Sequence, residues 1–353
     1  MGMDSAAKVG AFHPSTRLFR FTILFFISLL TFGSYFAYDS IGALANTLIR
    51  DLHLGRETIG SLYSAYSLAA IFIVFFGGML TDRLGPRKAT LLFSALVTLG
   101  AVIVAMAQNT WMLFLGRFIF GAGSESLVVA QSAIIARWFK GKELALAFGI
   151  SLTISRLGTL FSFNIEQLIA SYFGSYRVAL WAAAMLCAGS LLTNLVYNVM
   201  DRKGERDLDL PAAGSGDKIV FSDIGKFGAS YWFVALLCVT FYSAIFPFTA
   251  LSTDMFVTKW GYPAGASDSG GFLQKVFGSF LHMFDTAGGI TSIVIFASMV
   301  CAPFAGGLLD RIGRRASMMV LGSLMLIPAH LAMGLTDWSP IPSMIVLLSL
   351  IHI

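Results

Sequence analysis

Apolar residues run along this 353-residue chain in blocks of about 20, separated by short polar stretches. A helix of that length rises about 30 Å, the thickness of a bilayer's hydrocarbon core, so each block reads as one membrane span. The blocks fall at residues 19–38, 59–80, 89–107, 111–139, 144–172 and 178–199, then at 231–253, 290–309 and 317–333. A last apolar run starts near Pro342 and stops at Ile353, about half the length a span needs. The one long polar stretch lies between the sixth and seventh blocks. The pattern predicts an all-α polytopic membrane protein with about nine and a half spans. Its parts would be a tail at 1–18, a six-helix bundle at 19–200, a linker at 201–226 and a truncated second bundle at 227–353.

Composition agrees, with 57% hydrophobic and 12% charged residues where soluble domains carry about 25% charged. The net charge of +5 does not point to nucleic acid, because the basic residues sit between the apolar blocks. Lys8, Arg17 and Arg20 precede the first block, Arg83, Arg87 and Lys88 follow the second, and Arg137, Lys140 and Lys142 follow the fourth. Arg202, Lys203 and Arg206 open the linker, whereas the opposite loops carry only Arg50, Arg56, Arg177, Lys259 and Lys275. The positive-inside rule then places the N-terminus and the linker in the cytosol. Cys187, Cys238 and Cys301 all fall inside apolar runs and read as packing residues. No cofactor or metal cluster is expected, and no nucleophile–base constellation supports an enzyme. No Asn-x-Ser/Thr sequon is present.

The loop from Lys259 to Asp285 has apolar residues at helical spacing, which fits either a helix lying on the membrane or an ordered surface loop. Glu125, Glu166, Arg117 and Arg156 stand well inside the fourth and fifth blocks. In the fourth, Glu125 lies about 20 Å along the helix from Trp111, near mid-bilayer. In the fifth, Arg156 lies about 18 Å from Leu144, at a similar depth. Intramembrane charges are costly and usually face a bundle interior with a partner. The pair reads either as a brace between two helices or as a clamp for a zwitterion. In the clamp, Arg156 would fork onto a carboxylate and Glu125 accept from an ammonium group. Glu166 lies nearer the non-cytosolic end, where hydration is expected. Tyr35, Tyr38, Tyr63 and Tyr66, on the first two spans, fit packing or substrate contact.

A signature is repeated. Gly78-x-x-x-Asp82-Arg83-x-Gly85-x-Arg87-Lys88 closes the second span, and Gly306-x-x-x-Asp310-Arg311-x-Gly313-Arg314-Arg315 closes the eighth, six spans later. Two copies in register point to parallel repeats. This resembles the major facilitator superfamily, and the resemblance implies gating roles for Asp82, Arg83, Arg87, Asp310, Arg311 and Arg314. Arg117-x-x-x-Gly121-x-Gly123 in the fourth span resembles a second motif of that superfamily, with a structural or a transport role. Arg117 is close enough to the helix start to reach toward the near interface.

Longer strings narrow the resemblance. GSYFAYD, GRFIFGAGSESLVVAQ, WFKGKELALAFG and FYSAIFPF are similar to the branch of major facilitator superfamily domain-containing protein 1, a lysosomal dipeptide transporter type. That resemblance implies export of dipeptides by a uniporter, with a glycosylated accessory protein of the lysosomal membrane as partner. It also implies substrate contact by Glu125 and Arg156, and the candidate contacts Tyr35, Tyr38 and Tyr66, read from the spans themselves, would stand with them. The tail MGMDSAAKVGAFHPSTR departs from the branch in having no dileucine signal. The alternatives are a proton-coupled carrier of another organic anion or sugar, with Glu125 as the titrating group, and a non-transporting receptor or scaffold of the same fold.

Overall fold

The computed structural model describes residues 12–141, 143–208, 225–265, 271–312 and 315–335, with only the backbone described for parts of the last two helices. The elements are α1 (Arg17–Ala43), α2 (Ala45–Leu52), α3 (Arg56–Leu84), α4 (Pro86–Met106), α5 (Thr110–Phe139) and α6 (Leu144–Phe173). They continue with α7 (Tyr176–Leu208), α8 (Ala229–Trp260), α9 (Phe272–Leu281), α10 (Ala287–Ile312) and α11 (Arg315–Leu335). Helices α1 and α3–α8 are long and apolar enough to cross a membrane, and α10 and α11 stand where the eighth and ninth spans are expected. The apolar run beginning near Pro342 lies outside the described residues.

Local chemistry sets the ends. The Asn109 side chain accepts from the Met112 N–H at 2.9 Å and caps α5. Between α3 and α4 the chain turns on Gly85 at φ 77° and ψ 151°, a region essentially closed to residues with a Cβ. Pro86 then opens α4 at a position where its missing N–H costs nothing. A turn that only glycine can make therefore stands within the first signature.

Helices α1 and α3–α7 enclose one core, with α4 along α5, α1 along α6 and α7, and α3 along α5. A Cβ on Gly121 would lie 2.4 Å from the Tyr66 carbonyl oxygen of α3, and one on Gly123 would lie 2.7 Å from the Phe93 carbonyl oxygen of α4. These two glycines let α5 lie backbone to backbone against its neighbours. A second, smaller core joins Phe256 of α8 to Ala287, Ile290 and Val294 of α10 and to Met333 of α11.

The two groups of helices meet at the end of the molecule away from the linker. Thr253 donates to the Gly42 carbonyl at 2.5 Å, and Asn164 donates to Ser292 at 2.7 Å. Asp254, almost fully buried, takes Arg56 at 2.5 Å and Asn46 at 3.5 Å. Toward the linker end, α8 instead exposes Tyr231, Phe233, Leu236 and Val239.

Candidate functional site

Glu125 and Arg156 stand on the neighbouring helices α5 and α6 of the first group. Glu125 is half-buried and accepts from the Tyr66 hydroxyl of α3 at 2.5 Å. Arg156 is half-buried, with its guanidinium carbon 5.7 Å from the centre of the Tyr35 ring of α1. Tyr35 lies within electrostatic reach of both charges. Among the described residues no ion pair within 4.0 Å joins Glu125 to Arg156. The two are thus separate half-open groups, each set beside a tyrosine.

Arg117 differs from what its place in the sequence implies. It does not reach the interface: it is 1% exposed. Its guanidinium carbon lies 5.1 Å from the Tyr38 ring centre, 4.9 Å from Tyr63, 5.4 Å from Tyr66 and 5.5 Å from Phe120. One N–H donates to the Tyr38 carbonyl at 3.2 Å. A desolvated cation–ring contact is worth about 2 kcal/mol, so ring faces stand here where a carboxylate would be expected. A cavity of about 10 Å³ beside it is lined by Ser40, Arg117 and Phe120 among others, and is large enough for about one water. Tyr66 belongs to both places, its ring against Arg117 and its hydroxyl on Glu125. Tyr38 also meets Tyr66 edge-on at 4.7 Å and Phe246 of α8 at 6.3 Å.

Two acids were misjudged from the sequence. Glu166 is not hydrated: it is 0% exposed, with Ser40 of α1 donating to it at 2.7 Å. Its α6 helix runs on to Phe173, and α1 packs along it, so closeness to the span's end does not bring water. The first apolar block stops at Tyr38, but α1 continues through Asp39 to Ala43. Asp39 is buried beside Thr159 and lies within electrostatic reach of both Arg117 and Arg156. The available signal was an acid one helical turn after Tyr35 in an apolar helix.

Of the residues given gating roles, Asp82 and Arg83 are exposed at the end of α3. Arg87 joins a charged cluster with the end of α7, at 2.6 Å from Glu205 and 3.6 Å from Asp201. Arg137 of α5 binds both acids at 3.2 Å, and the Trp138 indole donates to Asp201 at 2.7 Å. Residues 201–208, within the stretch read as linker, are therefore helical. The side chains of Asp310 and Arg311, on α10, and all of Arg314 lie outside the described residues. Among the described residues no group of His, Cys, Asp and Glu is placed to hold a metal ion.

Among the described residues, seven helices long and apolar enough to cross a membrane define a multi-pass membrane protein. The chain belongs to the Major Facilitator Superfamily, whose model matches residues 27–284. It is 33% identical to the lysosomal dipeptide transporter MFSD1 of Danio rerio, over 93% of this chain and 69% of that protein. It is 31% identical to the protein of that name from Homo sapiens, with the same coverage. Among solved structures it is similar to a bacterial homologue of the human lysosomal transporter Spinster, inward-facing and unoccupied. That match has a TM-score of 0.69 and 18% identity over 96% of this chain and 73% of the other. A POT family transporter holding a thioalcohol-conjugated peptide matches with a TM-score of 0.61 at 17% identity, over 94% of this chain and 81% of the other.

Proposed function

We propose that the chain moves dipeptides or similarly zwitterionic solutes by alternating access, as a uniporter exporting from the lysosome to the cytosol. The observation that carries this reading is the pair Glu125 and Arg156. They are opposite charges on adjacent helices, half-open and not bonded to each other. Tyr66 occupies one Glu125 oxygen and leaves the other for an ammonium group. Arg156, held against the Tyr35 ring, offers its fork to a carboxylate. A brace between helices would gain little once desolvation is counted, and it would close the pair. Tyr35 and Tyr38 line the wall beside them, and Asp39 shapes the field around Arg156.

The orientation with the tail and linker in the cytosol follows from the distribution of basic residues. The end closed by Arg56, Asn46 and Asp254 is then lumenal, and the cluster around Arg87 belongs to the cytosolic gate with Asp82, Arg83, Asp310, Arg311 and Arg314. Arg117, Gly121 and Gly123 hold the wall rather than the solute. The lack of sequons fits a partner protein that supplies the glycan shield in the lumen.

Counterflow of a labelled dipeptide into vesicles carrying the full chain tests the reading. Glu125→Gln and Arg156→Ala are each expected to lower uptake by about 10-fold or more, the loss of one charge-assisted hydrogen bond. Normal uptake by both variants would make the pair structural and the reading wrong. Uptake that needs a proton gradient would replace the uniporter with a proton-coupled carrier.

A further inference from the structure

The helix between α8 and α10 takes no part in the site. We propose that α9 is a membrane anchor whose Leu273, Phe277 and Leu281 face rests in the outer leaflet of the bilayer on the side away from the linker. These residues recur every fourth position, so they share one helix face. They are 71%, 71% and 80% exposed, and Phe284 just beyond them is 61% exposed.

Contacts with α6 fix where the helix lies. Phe272 packs on Tyr172 at 5.4 Å and on Phe173 at 6.0 Å, at the very end of α6. Phe280 packs on Phe161 at 5.1 Å. Tyr172 and Phe161 are about 16 Å apart along α6, within the helix that is long and apolar enough to cross a membrane. Contacts at both ends therefore lay α9 alongside a span, not above it. Its exposed face continues the lipid-facing surface of α6, where Tyr172 and Phe173 are themselves exposed.

The charges agree with an interfacial position. Lys275 is the one charged residue of the helix, and its ammonium lies 5.7 Å from the Tyr172 ring centre, on the flank from which it can snorkel to head groups. His282 and Asp285, at the turn into α10, bond each other at 3.1 Å. The face carries three large apolar side chains on successive turns, with the exposed Gln274 beside them, the make-up of a helix that lies in an apolar boundary with polar groups at its edge. The occupant that matches is the acyl-chain boundary of the lipid.

The test labels one position at a time with a nitroxide. A Cys238→Ser background removes an exposed thiol, and Phe277→Cys, Leu281→Cys and, as an aqueous control, Arg50→Cys are reconstituted in phosphatidylcholine vesicles without any partner protein. The labels at 277 and 281 are expected to collide with oxygen several-fold more than the control and with a water-soluble nickel chelate several-fold less. Nickel access equal to that of the control would overturn the proposal. So would shielding from both reagents, which would mean that protein covers the face. Since neither collision depends on transport, the result stands apart from the substrate reading.

Discussion

Two arginines stand inside the same helical wall, and their surroundings are opposite. Arg117 is closed off by four aromatic rings and a backbone carbonyl. Arg156 has one ring and keeps part of its surface open. Both carry a charge at a depth where charge is costly. The first meets ring faces and one carbonyl, with two of its guanidinium nitrogens buried without a hydrogen-bond partner, whereas the second is half-open. On the proposed function the contrast separates a charge that holds a wall together from one that takes a substrate, and Tyr66 ties the two regions through its ring and its hydroxyl.

The sharpest way to break this contrast is to make the same substitution at both positions. Arg117→Met should destabilise the protein by about 3 kcal/mol, since it removes several desolvated cation–ring contacts at once. Thermal unfolding in detergent reads this as a large fall in midpoint. Arg156→Met should stay within about 1 kcal/mol of the parent, as a half-open group without an ion-pair partner contributes little to folding. Equal melting of the two variants would erase the distinction.

A smaller effect is expected where the regions join. Tyr66→Phe keeps the ring on Arg117 and removes the hydroxyl from Glu125. The hydrogen bond orients the Glu125 carboxylate before a solute arrives, so apparent dipeptide affinity should fall by about 3-fold. The unfolding midpoint should fall by less than for Arg117→Met, since one hydrogen bond to a carboxylate is worth about 1.5–3 kcal/mol. A fall in midpoint with unchanged affinity would assign Tyr66 to the wall alone.

The span pattern was legible because a bilayer demands about 20 apolar residues per crossing, and that demand is written in consecutive positions. Glu125 and Arg156 were legible too, since charges inside such runs announce themselves. Which face of a helix meets which neighbour is not written locally. Arg117 was misplaced because the rings that enclose it come mainly from α1 and α3. Glu166 was misplaced because α1 covers a position that depth alone assigns to water. The Arg56–Asp254 pair joins residues far apart in the chain, with nothing nearby to mark either. The signature's Gly85 carried more than the family resemblance implies, as its φ admits little else.

The smallest effect concerns a region outside the membrane. Glu143 precedes α6, and its own backbone N–H, then Arg17 and Arg20, hold its carboxyl below the usual carboxylate range. Because the folded value lies below the unfolded one, its contribution is present above the ordinary carboxylate range and is lost as pH falls through the folded value. Glu143→Gln should slightly flatten the acid side of the unfolding-midpoint curve against pH. The site around Glu125 should be untouched by that change.

The most direct test of the clamp removes charge from ligand and protein together. Affinities of a dipeptide, its N-acetyl derivative and its C-terminal amide would be measured for the parent, Glu125→Gln and Arg156→Met. Acetylation should cost the parent about 10-fold or more and cost Glu125→Gln almost nothing further, with amidation behaving likewise toward Arg156→Met. Losses that are the same in the parent and in both variants would show that neither residue touches the solute's charges.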